Sequence, residues 1–395
     1  MRLFKNNKNL AIIAFVAVVN ALGYGIIIPI LYMYSHKYGL SDFQNGLLFA
    51  TFSLCQFIST PIIGRMSDKF GRKPLLVGSI AGTAVSFFMM AFAPSAIFLF
   101  IARALDGLTA GNLPVAQAVI SDTTAPQDRA KGFGIMGAAF GFGFIFGPVI
   151  SALTVGISAA LPFIIAGTIS VVAVMITVLV LPETNQHKGE VKRGKLFDFS
   201  KLYHALFDAN IGVTLLITLF YFMAFSLFIY AFQPFSIKVL HLSAARISAL
   251  FTIIGVIGLI MQMFLVSRIS KFLGIKKALS VALLAVSFSF LLAFFSHSFV
   301  VFVASLVTLG FFSALVQPLV NTILSRETDD QSQGSIMGIN ASYMSIGQIL
   351  GPIIGGAVAT IAIPYSFLAG SLFVLVCFVL SFHVLKSGVH KESAF

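Results

Sequence analysis

The chain has 395 residues, 58% of them hydrophobic and 10% charged, with a mean hydropathy of +1.00. A soluble domain carries about 25% charged residues, so this composition excludes a soluble protein and describes an integral membrane protein with many spans. The formal net charge of +12 would also suit nucleic acid, and its placement along the chain decides between the two.

Apolar stretches of bilayer-crossing length, about 20 residues, are predicted at 9–31, 44–64, 75–93, 96–118, 131–153, 160–181, 210–236, 245–267, 276–295, 298–322, 334–357 and 364–385. Met1 to Gly23 has cations ahead of an apolar run, as a signal peptide does. The run outlasts signal length without a small-x-small cleavage site, so it reads as span 1. The expected class is therefore an all-α membrane protein with twelve transmembrane helices. Of the 25 Lys and Arg, only Lys37, Lys238 and Arg246 fall in odd-numbered loops or at the span ends beside them, and only Arg103 lies well inside a span, Lys131, Lys276 and Lys277 sitting at the very ends of theirs. The others lie at the termini or in even-numbered loops, which places both termini in the cytoplasm. Topology thus accounts for the basic charge, and no nucleic acid is needed as a partner.

Between spans 2 and 3 lies Gly64-Arg65-Met66-Ser67-Asp68-Lys69-Phe70-Gly71-Arg72-Lys73-Pro74. It reads as a tight cytoplasmic turn whose glycines let two helices end and restart. The longest polar segment follows span 6. It gives a domain layout of a six-helix bundle over 1–181, a cytoplasmic linker over 182–209 and a second six-helix bundle over 210–395. The halves repeat at an offset of about 204 residues. Pro114 matches Pro318, Gln117 matches Asn321, and Gly147-Pro148 matches Gly351-Pro352. At offset 203, Arg65, Ser67, Gly71 and Lys73 match Arg268, Ser270, Gly274 and Lys276. Parallel repeats of this kind suit two bundles rocking about a shared midplane site.

Together these motifs resemble the major facilitator superfamily, in its drug:proton antiporter branch with twelve spans, over essentially the whole chain. Gly64-x-x-x-Asp68-x-x-Gly71-Arg72-Lys73 is similar to the superfamily's signature between spans 2 and 3. Arg103-Ala-Leu-Asp106-Gly107 is similar to its span-4 signature. Gly143-Phe-Ile-Phe-Gly147-Pro148 is similar to its span-5 antiporter signature, with Ser151-Ala152 where the pattern has glycine. Ala110 to Asp122, with Asp128-Arg129-Ala-Lys131, resembles bacterial tetracycline-type exporters. The resemblance implies a bacterial inner-membrane antiporter, and a gate in which Asp68 and Arg72 meet an acid at the end of span 4, here Asp122. Such charge pairs across a cytoplasmic seam are expected to lock one state of a transport cycle.

Asp106 is the one carboxylate predicted within a span, and an intramembrane charge is by default a functional candidate. Arg103, one turn earlier, can pair with it at i,i+3. Burial favours the neutral acid and the guanidinium favours the carboxylate. That competition suits a proton carrier, and it equally allows a permanent brace. Tetracycline-type exporters carry an acid in span 1 where this chain has Asn20, which cannot carry a proton. Gly143, Gly147, Pro148, Gly351 and Pro352 are expected to form a close-packed pivot. Arg103, Asp106, Gly107, Ala110, Pro114 and Gln117 share one helical face by spacing. Asn20, Tyr24, Gln56, Asn112, Gln117, Tyr221, Gln233, Gln262, Gln317, Asn321 and Asn340 are the candidate lining of a roomy, weakly polar cavity. Sugar phosphates or dicarboxylates would need more than one cation there.

The seven histidines lie in loops or at span ends without metal-ligand spacing. No Ser/His/Asp set or ATP-binding loop is visible. The expectation is a monomeric secondary transporter, not an enzyme, with no cofactor or metal, acting on a small molecule and protons in a lipid bilayer. Export of a lipophilic or amphipathic drug-like compound is the first reading. A metabolite or siderophore transporter, a uniporter or a non-transporting sensor are the alternatives.

Overall fold

A computed structural model describes residues 8–124, 129–185, 199–209, 211–328 and 332–386. Asp128 and linker residues 186–198 lie outside them. The helices are α1 (Lys8–Ile27), α2 (Leu31–His36), α3 (Asp42–Phe70), α4 (Arg72–Ala91), α5 (Ala96–Thr109), α6 (Asn112–Thr123), α7 (Arg129–Thr154), α8 (Leu161–Val180) and α9 (Phe199–Leu206). They continue with α10 (Gly212–Lys238), α11 (Ala244–Ile260), a π-turn (Met261–Leu265), α12 (Val266–Leu273), α13 (Ile275–Phe294), α14 (Phe299–Arg326), α15 (Gln333–Ala359) and α16 (Pro364–Lys386). Twelve spans result among the described residues, with α5–α6 forming one and α11–α12 another.

Two features differ from the sequence reading. The hinge is not an eleven-residue turn, because α3 runs on to Phe70 and only Gly71 leaves the helical region, at φ 110°. Span 4, by contrast, breaks at Ala110–Gly111. Pro114 has no N–H for the carbonyl of Ala110, and Gly111 lowers the cost of leaving the helix there. In the second half Leu315 occupies the position of Gly111, and α14 passes Pro318 unbroken. The face read from Arg103 to Gln117 is therefore not continuous. Arg103, Asp106 and Gly107 are buried, whereas Gln117 is exposed.

The chain divides into two compact units. Unit 1 comprises Met1–Leu40, Thr51–Phe197 and Ser243–Thr252; unit 2 comprises Ser41–Ala50, Asp198–Leu242 and Ile253–Phe395. In unit 1, Ile13, Val16, Leu76, Ile80, Val115 and Val119 form a core joining α1, α4 and α6. α1 and α7 meet at backbone contact: a Cβ on Gly147 would lie 2.8 Å from the backbone carbons of Gly25, and one on Gly143 2.6 Å from Leu22 N. Ser151, where a glycine was expected, is fully buried and donates to Ile26 O at 2.8 Å. The repeat recurs in unit 2. A Cβ on Gly347 would lie 2.7 Å from Leu219 O, and Ser226 donates to Gly347 O at 3.1 Å. Without a hydrophobic driving force in lipid, such close approach and buried hydroxyl bonds hold helices together. Phe235 adds an aromatic core to unit 2, with ring centroids 5.0 Å from both Phe302 and Phe367.

Unit 2 includes the first turns of α3, Asp42–Ala50, which are held within it. Lys238 Nζ reaches both Asp42 carboxylate oxygens at 2.9 and 3.1 Å, and Tyr230 donates to Asp42 O at 2.8 Å. A Cβ on Gly356 would lie 3.2 Å from Gly46 Cα.

Candidate functional site

The Arg103–Asp106 pair forms as the spacing predicts, with Nη1 to Oδ2 at 3.1 Å and side chains only 3% and 7% exposed. α5 places both on one face, and Gly107 lets α3 approach: a Cβ there would lie 2.7 Å from Cys55 Cβ. Ser59 Oγ donates to Gly107 O at 3.0 Å across the same contact. The guanidinium carbon sits 4.3 Å from the ring centroid of Phe52, a cation–π arrangement. Phe52 in turn packs on Tyr24 at 5.6 Å, and Tyr24 on Phe144 at 6.1 Å. The side chains of Thr83 and Ser86, from α4, lie beside the Asp106 carboxylate. Arg103 Nε is buried without a partner. An orphaned buried donor costs about 1–3 kcal/mol, so the pair is held with one donor unsatisfied. The neutral hydroxyls and the ring under the arginine were invisible to spacing arguments, since they come from other helices.

The hinge residues also converge. Arg72 pairs with Asp68 through Nη1 and with Asp122 through Nε at 3.2 Å, and Nη1 also donates to Ser67 Oγ at 2.7 Å. Three residues missed by the sequence reading complete the cluster, all just after α8. Glu183 accepts the backbone N–H of Arg72 at 2.9 Å, where an anion meets the positive end of α4. Asn185 Nδ2 donates to Asp68 O at 2.8 Å and Ser67 O at 3.3 Å, capping the last carbonyls of α3. Thr184 donates to Asp122 at 3.4 Å. Their signal was only an acid and an amide directly behind a span end. All these residues belong to unit 1, so the expected pairs across a seam appear instead as a brace inside one unit. Gly64 stands in open space within α3, and Lys73 joins none of these contacts among the described residues. Unit 2 carries a counterpart: Gly274 at φ 78° ahead of α13, with Lys276 bound to Glu327 at the end of α14 at 2.9 Å.

The candidate cavity residues separate into local networks. In unit 1, Asn112 donates to Asn20 at 3.0 Å, so each is the other's partner. Tyr24 and Gln56 are half-buried and Gln117 is exposed. In unit 2, Thr218 donates to Asn340 at 2.7 Å and Asn340 to Asn321 at 3.0 Å. Tyr221 donates to Ser313 O at 3.2 Å, and Gln317 approaches the sulfur of Met344 at 3.7 Å. Gln233 is fully buried, while Gln262 is exposed on the π-turn, a rare element frequent at functional sites. Gly143, Gly147 and Pro148 pack on α1 and Gly351 lies on the matching seam with α10, each seam within its own unit, while the Pro352 carbonyl lies against Gly46 of α3.

Among the described residues, twelve spans in repeated bundles, a braced helix turn and one buried ion pair within a span describe a polytopic membrane protein built as an internal repeat. The chain matches the Major Facilitator Superfamily model over residues 13–264 and 214–395, and it belongs to that family. It is 29% identical to the class B tetracycline resistance protein of Escherichia coli, covering 91% of this chain and 90% of that one. It is 31% identical to multidrug resistance protein 1 of Bacillus subtilis, covering 92% of each. Against quinolone resistance protein NorA of Staphylococcus aureus it is 27% identical, covering 89% and 90%. Among solved structures, nucleoside transporter NupG shares the fold with a TM-score of 0.78 at 14% identity, covering 98% of this chain and all of that one. The human organic anion transporter MFSD10 does so at 0.73 and 21%, covering 94% and 98%.

Proposed function

We propose that this chain is a bacterial inner-membrane exporter of small lipophilic or amphipathic compounds, driven by proton antiport through alternating access. The observation that carries the reading is the Arg103–Asp106 pair, buried among neutral groups with one arginine donor unsatisfied. An intramembrane ion pair is costly and marks a proton or substrate path. Relatives over nine-tenths of the chain, named for resistance to tetracycline, to several drugs and to quinolones, support export.

In this reading Asp106 is the proton carrier. Protonation at Oδ2 ends its charge attraction to Arg103, and the guanidinium stays over Phe52. Loss of the proton on the other side restores the pair, so one proton taken up is one released. Asn20 is bonded to Asn112 and carries none, which leaves Asp106 alone in the role. Tyr24, Gln56, the amide networks of both units and the aromatic residues beside them contribute the weakly polar substrate lining. Gly64, Asp68, Gly71, Arg72, Lys73 and Asp122 form the cytoplasmic gate, with the brace fixing the end of α3 in the shape that closure requires. The glycine seams at Gly143–Pro148 and Gly351–Pro352 are the pivots. Both termini are cytoplasmic, and the monomer needs no cofactor.

The test is growth of an efflux-deficient bacterial host expressing the protein on a broad panel of toxic compounds, beside Asp106→Asn at matched expression. Resistance lost in the variant, together with loss of substrate-induced proton release from detergent-solubilised protein, supports the reading. Resistance kept by the variant makes Asp106 a brace and overturns proton coupling there. Resistance to nothing transfers the reading to an endogenous metabolite.

A further inference from the structure

Arg103 has two kinds of neighbour, and the transport reading gives a role to only one of them. Its Nη1 donates to Asp106 Oδ2 at 3.1 Å, its Nε has no partner, and its guanidinium carbon lies 4.3 Å from the ring centroid of Phe52. Few other groups face the pair. Tyr24 of α1 stands near both members, Cys55 of α3 near Arg103, and the hydroxyls of Thr83 and Ser86 of α4 beside Asp106. No second carboxylate or cation is among these groups. When Asp106 becomes neutral, the guanidinium keeps its full charge in a buried place. The negative face of the Phe52 ring is then the strongest attraction left to it.

Phe52 cannot easily leave that position. It is buried, its ring packs on Tyr24 at 5.6 Å, and Phe144 lies behind Tyr24 at 6.1 Å. A Cβ on Gly107 would collide with Phe52 O, so α3 lies directly against α5 one turn beyond Arg103. Ser59 bonds Gly107 O at 3.0 Å on the same seam. All of these residues are in unit 1. The ring matters differently to the two charge states. With Asp106 ionised, the pair is nearly neutral as a whole, and the ring quadrupole gains little from it. With Asp106 protonated, the ring faces a lone cation. The ring therefore favours the protonated state.

From this geometry we propose that Phe52 is a positioning residue for proton exchange: its ring holds the Arg103 guanidinium while Asp106 carries the proton, and so sets the pH at which Asp106 is loaded. The inference rests on Asp106 as the proton carrier. Weakening the ring's attraction makes the protonated state harder to reach, which moves loading to lower pH.

The test replaces Phe52 in the full-length protein, by site-specific incorporation, with progressively more fluorinated phenylalanines. Fluorine drains the negative ring face and nearly keeps the ring's shape, so a purely packing role would be left intact. Monodisperse fractions are reconstituted into nanodiscs of phosphatidylcholine and phosphatidylglycerol. Protonation of Asp106 is followed by infrared difference spectroscopy through a pH titration, its carboxyl band being the one missing from Asp106→Asn. The expected result is a midpoint that falls step by step with fluorination, by about half to one pH unit at the most fluorinated ring. The same series at Phe144, which reaches Arg103 only through Tyr24 and Phe52, should leave the midpoint where it is. A midpoint that stays constant or rises along the Phe52 series would overturn the role of Phe52 and leave Asp106 as the carrier. Absence of a titrating Asp106 band in the parent protein would instead remove the proton-carrier reading, and this inference with it.

Discussion

Replacing Arg72 by alanine probes the brace most directly. Its side chain is 13% exposed, against 27% for Asp122 and 49% for Asp68. The Asp68 pairing is half in water and contributes a few tenths of a kcal/mol, as exposed pairs do. The better shielded bonds to Asp122 and to Ser67 contribute about 0.5–1 kcal/mol each. Arg72→Ala should therefore destabilise unit 1 by about 2 kcal/mol. At about 2–4 °C per kcal/mol for a unit of this size, melting should fall by about 4–8 °C. The chain has no tryptophan, so loss of monodisperse protein after heating is followed by size-exclusion chromatography. A double-mutant cycle isolates the pair: Arg72→Ala with Asp122→Ala should fall short of additivity by about 1 kcal/mol, and with Asp68→Ala by less. Arg72→Lys should not restore the loss, because an ammonium cannot fork between two carboxylates. Strict additivity with Asp122, or melting of Arg72→Ala at the parent temperature, would refute the reasoning.

Further outcomes follow from other contacts. Gly71→Ala places a side chain at φ 110° and should cost about 1–2 kcal/mol, whereas Gly64→Ala, with open space around it, should be neutral or stabilising by up to about 1 kcal/mol; the same heating assay separates them. Gly347→Ala forces a methyl against the Leu219 carbonyl and should cost about 1–3 kcal/mol or abolish expression, and a fully stable variant would contradict the seam. Asn185→Ala uncaps the end of α3 and should lower melting by about 1 kcal/mol in equivalent stability, with Asn185→Asp failing to rescue because it cannot donate to the carbonyls. Lys238→Ala should weaken the hold on Asp42 by under about 1 kcal/mol, and exchanging the pair as Asp42→Lys with Lys238→Asp should recover what either single reversal loses.

How much of this was legible in the sequence depends on the range of the interaction. The twelve spans were readable because the bilayer imposes a fixed apolar length, whatever the tertiary contacts. The Arg103–Asp106 pair was readable because one helical turn brings i and i+3 together. The glycine seams were readable as small residues at helical spacing, and Ser151 fits that pattern with a hydroxyl bonded to Ile26 O. Asp122 as the partner of Arg72 came from the family resemblance alone.

Tertiary structure decided the rest. Glu183 and Asn185 reach back 111 and 117 residues to Arg72 and Asp68, and Lys238 reaches 196 residues to Asp42. Nothing local selects these partners. Polar groups at helix ends must bond to something, and packing determines which loop supplies it. The same holds for Phe52 beneath Arg103 and for the asparagines, which appeared in the sequence within one set and in the fold as the separate pairs Asn20–Asn112 and Asn321–Asn340. Membrane thickness and helical periodicity were written into the chain; the choice of partner for each buried polar group came only with the packing of the helices.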